Sequence, residues 1–219
     1  FDSNQEHQNK ALTSIINLFD SLPPSDHLID FTSGEDSVPN LPLYQSFEQN
    51  WLLDNLNSIQ RDNGINESLE LQHNTGFMVD GVSTDTWQYP VFTVEMETGT
   101  GKTYVYLKTI YQLKKDYGFR KFIIIVPSVA IYEGVINAFK ITRDHFNSHY
   151  GNETVHLLEY DGSKPGIVKS FSTSTTVDIL LMTTDSFNKK SNNIYKRSDK
   201  IMGEKYPFQY IQDTRPILI

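Results

Sequence analysis

"METGTGKTYVYLKTI" occupies Met96–Ile110, and its reading decides the fold. Gly99 and Gly101 flank a threonine, then Lys102 and Thr103 open an amphipathic stretch. The order fits the phosphate-loop pattern Gly-x-x-x-x-Gly-Lys-Ser/Thr except at its first position, where Met96 replaces glycine. What the chemistry needs is still present. Glycines let the backbone approach an anion closely and turn successive N–H groups inward. A helix starting near Lys102 aims the positive end of its dipole at the same point. Lys102 places a cation near the β- and γ-phosphates, and the Thr103 hydroxyl is a ligand for Mg²⁺. With Thr98 and Thr100 completing the loop, the stretch predicts a nucleoside-triphosphate site.

The flanks agree with that prediction. "YPVFTVE" (Tyr89–Glu95) reads as a strand leading into the loop, and a helix is expected through about Tyr117. "RKFIIIVPS" carries five consecutive apolar residues, Phe122–Val126, stopped by Pro127. Such a run suits a strand buried on both faces of a parallel sheet. A helix around Ala130–His149, a strand near "TVHLLEY", a short helix near Val168–Phe171 and the strand "VDILLMTT" continue the alternation. Asn188–Lys205 reads as a loop, and "RPILI" starts another strand. Strands alternating with helices predict an α/β fold with right-handed crossovers.

Upstream, "NQEHQNKALTSIINLF" (Asn4–Phe19) spaces Ala11, Leu12, Ile15, Ile16 and Phe19 as a helix does, with Asn4 or Ser3 available as N-cap. Asp20–Tyr44, with four prolines, reads as an irregular connection. A second helix is expected over Gln45–Arg61, its aromatic residues facing a core. Two units follow: a helical segment over 1–89 and a sheet-containing lobe over 90–219.

Composition narrows the classes. No apolar run approaches the roughly eighteen residues of a membrane span, so no membrane association is expected. The chain starts "FDSNQEHQNK", without a secretory signal and without an initiator Met, which reads as a processed or trimmed start. With no cysteine in 219 residues, disulfides and thiolate zinc sites are excluded, and a cytoplasmic setting is suited. Net charge is −8, yet the distribution is uneven. Residues 1–99 hold 2 Lys+Arg against 16 Asp+Glu, whereas residues 100–219 hold 17 against 11. A polyanion contact therefore falls to the second half, within a screening length of roughly 8–10 Å of its lysines, although an ordinary uneven surface gives the same split.

Beyond this chemistry, "METGTGKTYVYLKTIYQLKKDYGFRKFIIIVPSVAIYEGV" resembles the opening motor motifs of the Res subunits of type III restriction-modification enzymes, which are superfamily 2 helicase-like DNA translocases. Met96 departs from the general loop pattern but not from that branch. "VPSVAIYEGV" (Val126–Val135) is similar to motif Ia, and "LLMTTDSFNKKSNNI" (Leu180–Ile194) to the later DNA-facing motif of the same domain. "QNKALTSIINLF" resembles the helix whose glutamine reads adenine, which points to Gln8, with Gln5 as the alternative. "LDNLNSIQRDNGI" is similar to the family's inserted helix. The resemblance implies a RecA-like P-loop NTPase lobe, incomplete at its C-terminus, that uses ATP and Mg²⁺. Lys102 is then the catalytic lysine and Thr103 the metal ligand.

It also implies double-stranded DNA and a DNA methyltransferase (Mod) subunit as partners, in a bacterial cytoplasm. Pro127, Ser128, Thr183 and Thr184 would face the DNA backbone from loops after two sheet strands, where hydroxyl and N–H groups bind phosphate oxygens without reading bases. A plainer reading makes Pro127 a strand terminator and Ser128 a helix cap. The family places an Asp-Glu-Pro-Gln segment after a strand like "RPILI", so this segment is expected to bind ATP without hydrolysing it. The alternatives are another superfamily 2 translocase, such as a type I restriction motor or a repair helicase, a non-hydrolysing nucleotide-binding module, and a P-loop kinase.

Two other groupings carry less. His145 and His149 would share a helix face, but neither a Glu nor a third ligand sits where a zinc hydrolase needs one. "YKRSDK" (Tyr195–Lys200), with Tyr206 and Phe208 nearby, reads as a solvated loop in preference to a basic–aromatic patch.

Overall fold

The apolar run at Phe122–Val126 lies inside a parallel sheet. The structure is a computed structural model that describes residues 5–22, 37–40, 50–74, 78–79, 82–83, 89–151, 153–189, 191–197 and 205–219. The first helices are α1 (Glu6–Asn17) and α2 (Trp51–Asp62), followed by four two-residue strands. These are β1 (Gln72–His73), β2 (Met78–Val79), β3 (Val82–Ser83) and β4 (Pro90–Val91), with β1 pairing β4 and β2 pairing β3, both antiparallel. Then come α3 (Lys102–Tyr117), β5 (Lys121–Val126), α4 (Val129–His149), β6 (Val155–Glu159), α5 (Gly166–Thr173), β7 (Val177–Thr183), α6 (Pro207–Thr214) and β8 (Ile217–Leu218).

The α/β expectation holds. Strands β5 to β8 form one four-stranded sheet in the order β6-β7-β5-β8, every pairing parallel. Side chains of successive strand residues leave on opposite faces, so β5 supplies two cores at once. Phe122, Ile124 and Val126 pack with Leu107, Ile110, Val135 and Phe146 of α3 and α4. Ile123 packs on the other face with Phe171, Leu180, Met182, Tyr206 and Phe208. Helix α1 lies along α3, with Ile16 and Phe19 reaching the first core and Phe19 meeting Phe119 edge-on at 5.2 Å.

The end of the sheet at which β5 and β7 begin is closed by a buried polar cluster. Lys121 and Asp178 are register partners on β5 and β7, with Nζ 2.7 Å from Oδ2 and exposures of 0% and 2%. Asp178 also takes the Thr176 hydroxyl at 2.9 Å and faces His156 Nδ1 at 3.2 Å. Asn40 reaches the same place from far upstream. Its carboxamide oxygen accepts from the N–H groups of Arg120 and Lys121, both at 2.8 Å, and its nitrogen donates to the Lys121 carbonyl.

Four differences from the sequence reading have physical causes. The strand expected over Tyr89–Glu95 shrinks to Pro90–Val91, which lies in the small antiparallel ladder, and residues 92–97 take no regular structure. The outer strand β8 is only two residues long, so a strand laid beside it would gain few ladder bonds. Second, α6 forms where no helix was expected, with Pro207 as its first residue. Third, Tyr195, Tyr206 and Phe208 are core residues, and Arg197 lies over the Tyr206 ring at 4.9 Å, so they supply no surface patch. Fourth, the N-cap of α1 is Gln5, which makes no side-chain cap bond. The caps proposed at Ser3 and Asn4, the stretches 23–36 and 41–49, and residues 190 and 198–204 lie outside the described residues.

Candidate functional site

The loop of the opening stretch turns on two left-handed glycines, Gly99 at φ +83° and Gly101 at φ +88°. Side chains rarely adopt that conformation, which costs roughly 1–2 kcal/mol per residue for anything but glycine. Gly101 is the N-cap of α3, and the first intrahelical bond runs from Val105 N to its carbonyl at 3.0 Å. The N–H groups of the first turn precede that bond and so find no acceptor within the helix. They open on the same point as Lys102, the first helical residue, whose side chain is exposed.

Three donors converge on one carbonyl of the loop. Glu97 O accepts from Lys102 Nζ at 3.0 Å, from the Thr100 hydroxyl at 2.7 Å and from Thr100 N at 3.4 Å. A carbonyl oxygen thus holds the ammonium where a phosphate oxygen is the stronger acceptor, since a charged partner shortens and strengthens the bond. A Cβ built on Gly99 meets nothing within 4 Å, so the loop is open on that side. The donor set fits a triphosphate.

Thr103 sits on the same turn, half-buried. Burial pushes the Tyr106 phenol above its ordinary value, with Thr103 opposing the shift, so it stays protonated at neutral pH. A threonine hydroxyl has one proton and two lone pairs, enough to ligate a divalent cation. Mg²⁺ at such sites takes one or two carboxylates besides the substrate phosphates, so the Thr103 hydroxyl would supply one ligand among several.

Gln8, the residue proposed from sequence to read adenine, comes to the loop. Its Nε2 donates to Thr100 O at 2.9 Å, and the neighbouring His7 Nε2 lies 3.2 Å from the same oxygen. Gln5, the alternative, is exposed at the start of α1. Sequence reasoning missed His7 altogether, because nothing local distinguishes a histidine beside a glutamine on a polar helix face.

Pro127, Ser128, Thr183 and Thr184 gather at one end of the sheet. Val126 and Thr183 are register partners, so the loops that follow β5 and β7 leave the sheet side by side. Helix α3 returns through a three-residue connection to the start of β5, which puts its N-terminus, and hence the glycine loop, toward that same end. Ser128 caps α4, its hydroxyl accepting from Ile131 N at 3.4 Å. Both Pro127 and Ser128 are exposed. Thr183 pairs its hydroxyl with Ser186 at 3.2 Å, and Thr184 opens a 3₁₀ turn.

Beside them is a polar cleft of about 490 Å³ at the carboxyl ends of β6 and β7, lined by Tyr160, Asp161, Thr183, Asp185, Asn192 and Asn193 among others. Of these six, Thr183 was proposed from sequence as a DNA contact, and Asp185, Asn192 and Asn193 lie in the stretch Leu180–Ile194 singled out there, whereas Tyr160 and Asp161 were not anticipated. Two hydrogen bonds from Ser163 hold the Asp161 carboxyl below its ordinary value, and Asp185 accepts from Asn188 at 2.9 Å. His145 and His149, set aside as a metal pair, hold other partners: His145 Nε2 meets the Tyr104 hydroxyl at 3.1 Å, and His149 Nδ1 lies 2.8 Å from the His145 carbonyl.

Comparison with known proteins converges on one family. The model for "Type III restriction enzyme, res subunit" matches residues 3–213. The chain is 32% identical over 192 residues to the EcoP15I Res subunit of Escherichia coli, across 86% of this chain and 18% of that protein. It is 34% identical over 194 residues to the EcoPI Res subunit of Escherichia phage P1, across 87% of this chain and 18% of that protein. The StyLTI Res subunit of Salmonella typhimurium is 33% identical over 144 residues, across 58% of this chain and 14% of that one. The chain therefore spans less than a fifth of the length of these curated relatives.

Proposed function

This chain belongs to the family of type III restriction enzyme Res subunits, and from that premise we propose that it is the ATP-binding segment of an ATP-dependent DNA-translocating restriction motor. The observation that carries the proposal is the loop Thr98–Thr103, with two left-handed glycines and Lys102 at the head of α3. Lys102 is assigned to the β- and γ-phosphates and Thr103 to Mg²⁺. Gln8 takes the adenine edge, which offers a donor and an acceptor to a carboxamide. Thr103 would help to hold a magnesium ion, which would offset charge that builds up during phosphoryl transfer.

The DNA half of the proposal rests on Pro127, Ser128, Thr183 and Thr184 lying at the sheet end toward which α3 starts. There they would take phosphate oxygens of double-stranded DNA, contacts that position a duplex without reading its sequence. We assign residues 1–89 to the adenine-reading and inserted helices and 90–219 to the first RecA-like lobe. In the full-length protein this lobe would drive translocation that ends in endonucleolytic cleavage, beside a Mod subunit in the bacterial cytoplasm. Among the described residues no helix is long and apolar enough to cross a membrane.

The test is DNA-stimulated phosphate release by the full-length protein. Lys102→Ala should abolish it. Release that survives this substitution rejects the ATP assignment, and release indifferent to DNA rejects the DNA assignment.

A further inference from the structure

Two donors on neighbouring residues of α1 meet on one oxygen of the phosphate loop. His7 Nε2 and Gln8 Nε2 stand 3.2 and 2.9 Å from the Thr100 carbonyl oxygen. Such an oxygen has two lone pairs, so both donors are accommodated. The peptide that joins Thr100 to Gly101 is planar, and its C=O and N–H point in opposite directions. Fixing the oxygen therefore fixes the Gly101 N–H, which is turned away from α1.

That peptide is the part of the loop most easily rotated. Gly101 has no side chain to hinder a flip, and glycine populates positive and negative φ about equally. Helix α1 is a firm base from which to oppose one. Asn9 Oδ1 accepts from Lys108 Nζ at 3.1 Å, and the Ile16 carbonyl accepts from the Tyr117 hydroxyl at 3.4 Å, so α1 is fastened along the helix that the loop opens. The clamp also sits flush on the peptide, since a Cβ on Gly101 would stand 2.5 Å from Gln8 Nε2.

We propose that His7 is a positioning residue of the phosphate loop: through the Thr100 carbonyl it holds the Gly101 N–H in the orientation that donates to a phosphate oxygen, without touching the nucleotide. The proposal rests on the ATP-binding reading of the loop and adds a residue to it. His7 acts on the polyphosphate and not on the base, so its loss weakens every polyphosphate ligand by the same factor.

The experiment is competition binding of ATP, GTP and inorganic tripolyphosphate to the full-length protein. His7→Ala should weaken all three equally, by about 2–10-fold, the value of one neutral hydrogen bond. His7→Gln, whose amide nitrogen can take the place of the imidazole Nε2, should restore them. Unchanged tripolyphosphate affinity in His7→Ala would overturn the proposal, as would an altered ATP-to-GTP ratio, which would make His7 part of base recognition. Failure of His7→Gln to restore binding would overturn it too, by showing that the ring and not the donor matters. Lys102→Ala separates this from the parent reading. If that substitution also leaves tripolyphosphate binding intact, the nucleotide site itself is wrong. If it weakens binding while His7→Ala does not, only the role of His7 falls.

Discussion

Lys121 and Asp178 stand directly opposite each other in the β5–β7 ladder, and their charged groups meet at 2.7 Å with neither exposed beyond 2%. Burial pulls the Lys121 ammonium below its ordinary value, and Asp178 works against that shift by hydrogen bond and by charge. The ammonium therefore depends on Asp178 to stay charged. Asp178→Ala should destabilise the fold by about 3–5 kcal/mol, because it strands a buried cation. Combining Lys121→Met with Asp178→Leu should recover most of that loss, since packed apolar residues replace buried ion pairs well. Urea unfolding of the two variants checks both; equal losses in the single and double variants would refute the pairing.

Gly101 and Gly99 share a left-handed backbone but not the same surroundings. A methyl group on Gly99 meets open space, whereas one on Gly101 runs into Gln8. Gly99→Ala should cost about 1–2 kcal/mol from backbone conformation alone. Gly101→Ala should cost more, because Gln8 must also give up its bond to Thr100. Thermal unfolding that ranks the two substitutions the other way contradicts the packing of α1 on the loop.

Nucleotide affinity should separate the phosphate and base contacts. Lys102→Ala removes a charge-assisted contact worth about 1.5–3 kcal/mol, roughly tenfold to a hundredfold in Kd, for ATP and GTP alike. Gln8→Ala should narrow the preference for ATP over GTP, beyond any loss common to both that follows from its bond to Thr100. Titration calorimetry with both nucleotides decides, and a wild-type protein that binds the two equally removes the case for Gln8 as the base reader.

The imidazole of His145 is held below its ordinary 6.5, chiefly by burial, with His149 and Lys108 adding to the effect. The unfolded chain then binds this proton more readily than the folded one, so the difference in bound protons makes stability rise with pH in the window below 6.5. The contribution is fully present above that window and is lost as pH falls through the folded value. His145→Gln should flatten this part of the stability profile, measured by urea unfolding at a series of pH values. An unchanged slope would show that His145 does not report on folding.

Local patterns carried much of the reading. Phe122–Val126 and "VDILLMTT" are strands because runs of that kind are stable only when covered on both faces, and Pro127 and Ser128 stop one element and cap the next. The glycine loop was legible because its chemistry is contiguous. Helix α6 was not, since its N-cap Tyr206 and the residues Phe208 and Tyr210 within it alternate as a strand would. The strand expected before the loop failed for the opposite reason: its pattern was right, but a strand exists only beside a neighbour long enough to pair with it. The cleft at Tyr160, Asn192 and Asn193, like the contact of His7 with Thr100, joins segments far apart in sequence. No spacing rule could have brought them together.

Asn40 has a consequence for the order of events when the chain is made. Its partner, Lys121, lies 81 residues downstream. At about 5–20 residues per second, Asn40 waits roughly 4–16 s after its own synthesis before that backbone exists. Even then β5 holds a lysine whose counter-charge, Asp178, is a further 57 residues away. Asn40 must therefore remain unattached to the sheet until β5 has emerged, and Lys121 beside it stays without its counter-charge until β7 follows. Synthesis that stalls between β5 and β7 leaves Lys121 without its counter-charge and the sheet without its central pairing, a state in which chaperones and proteases have longer access to the chain.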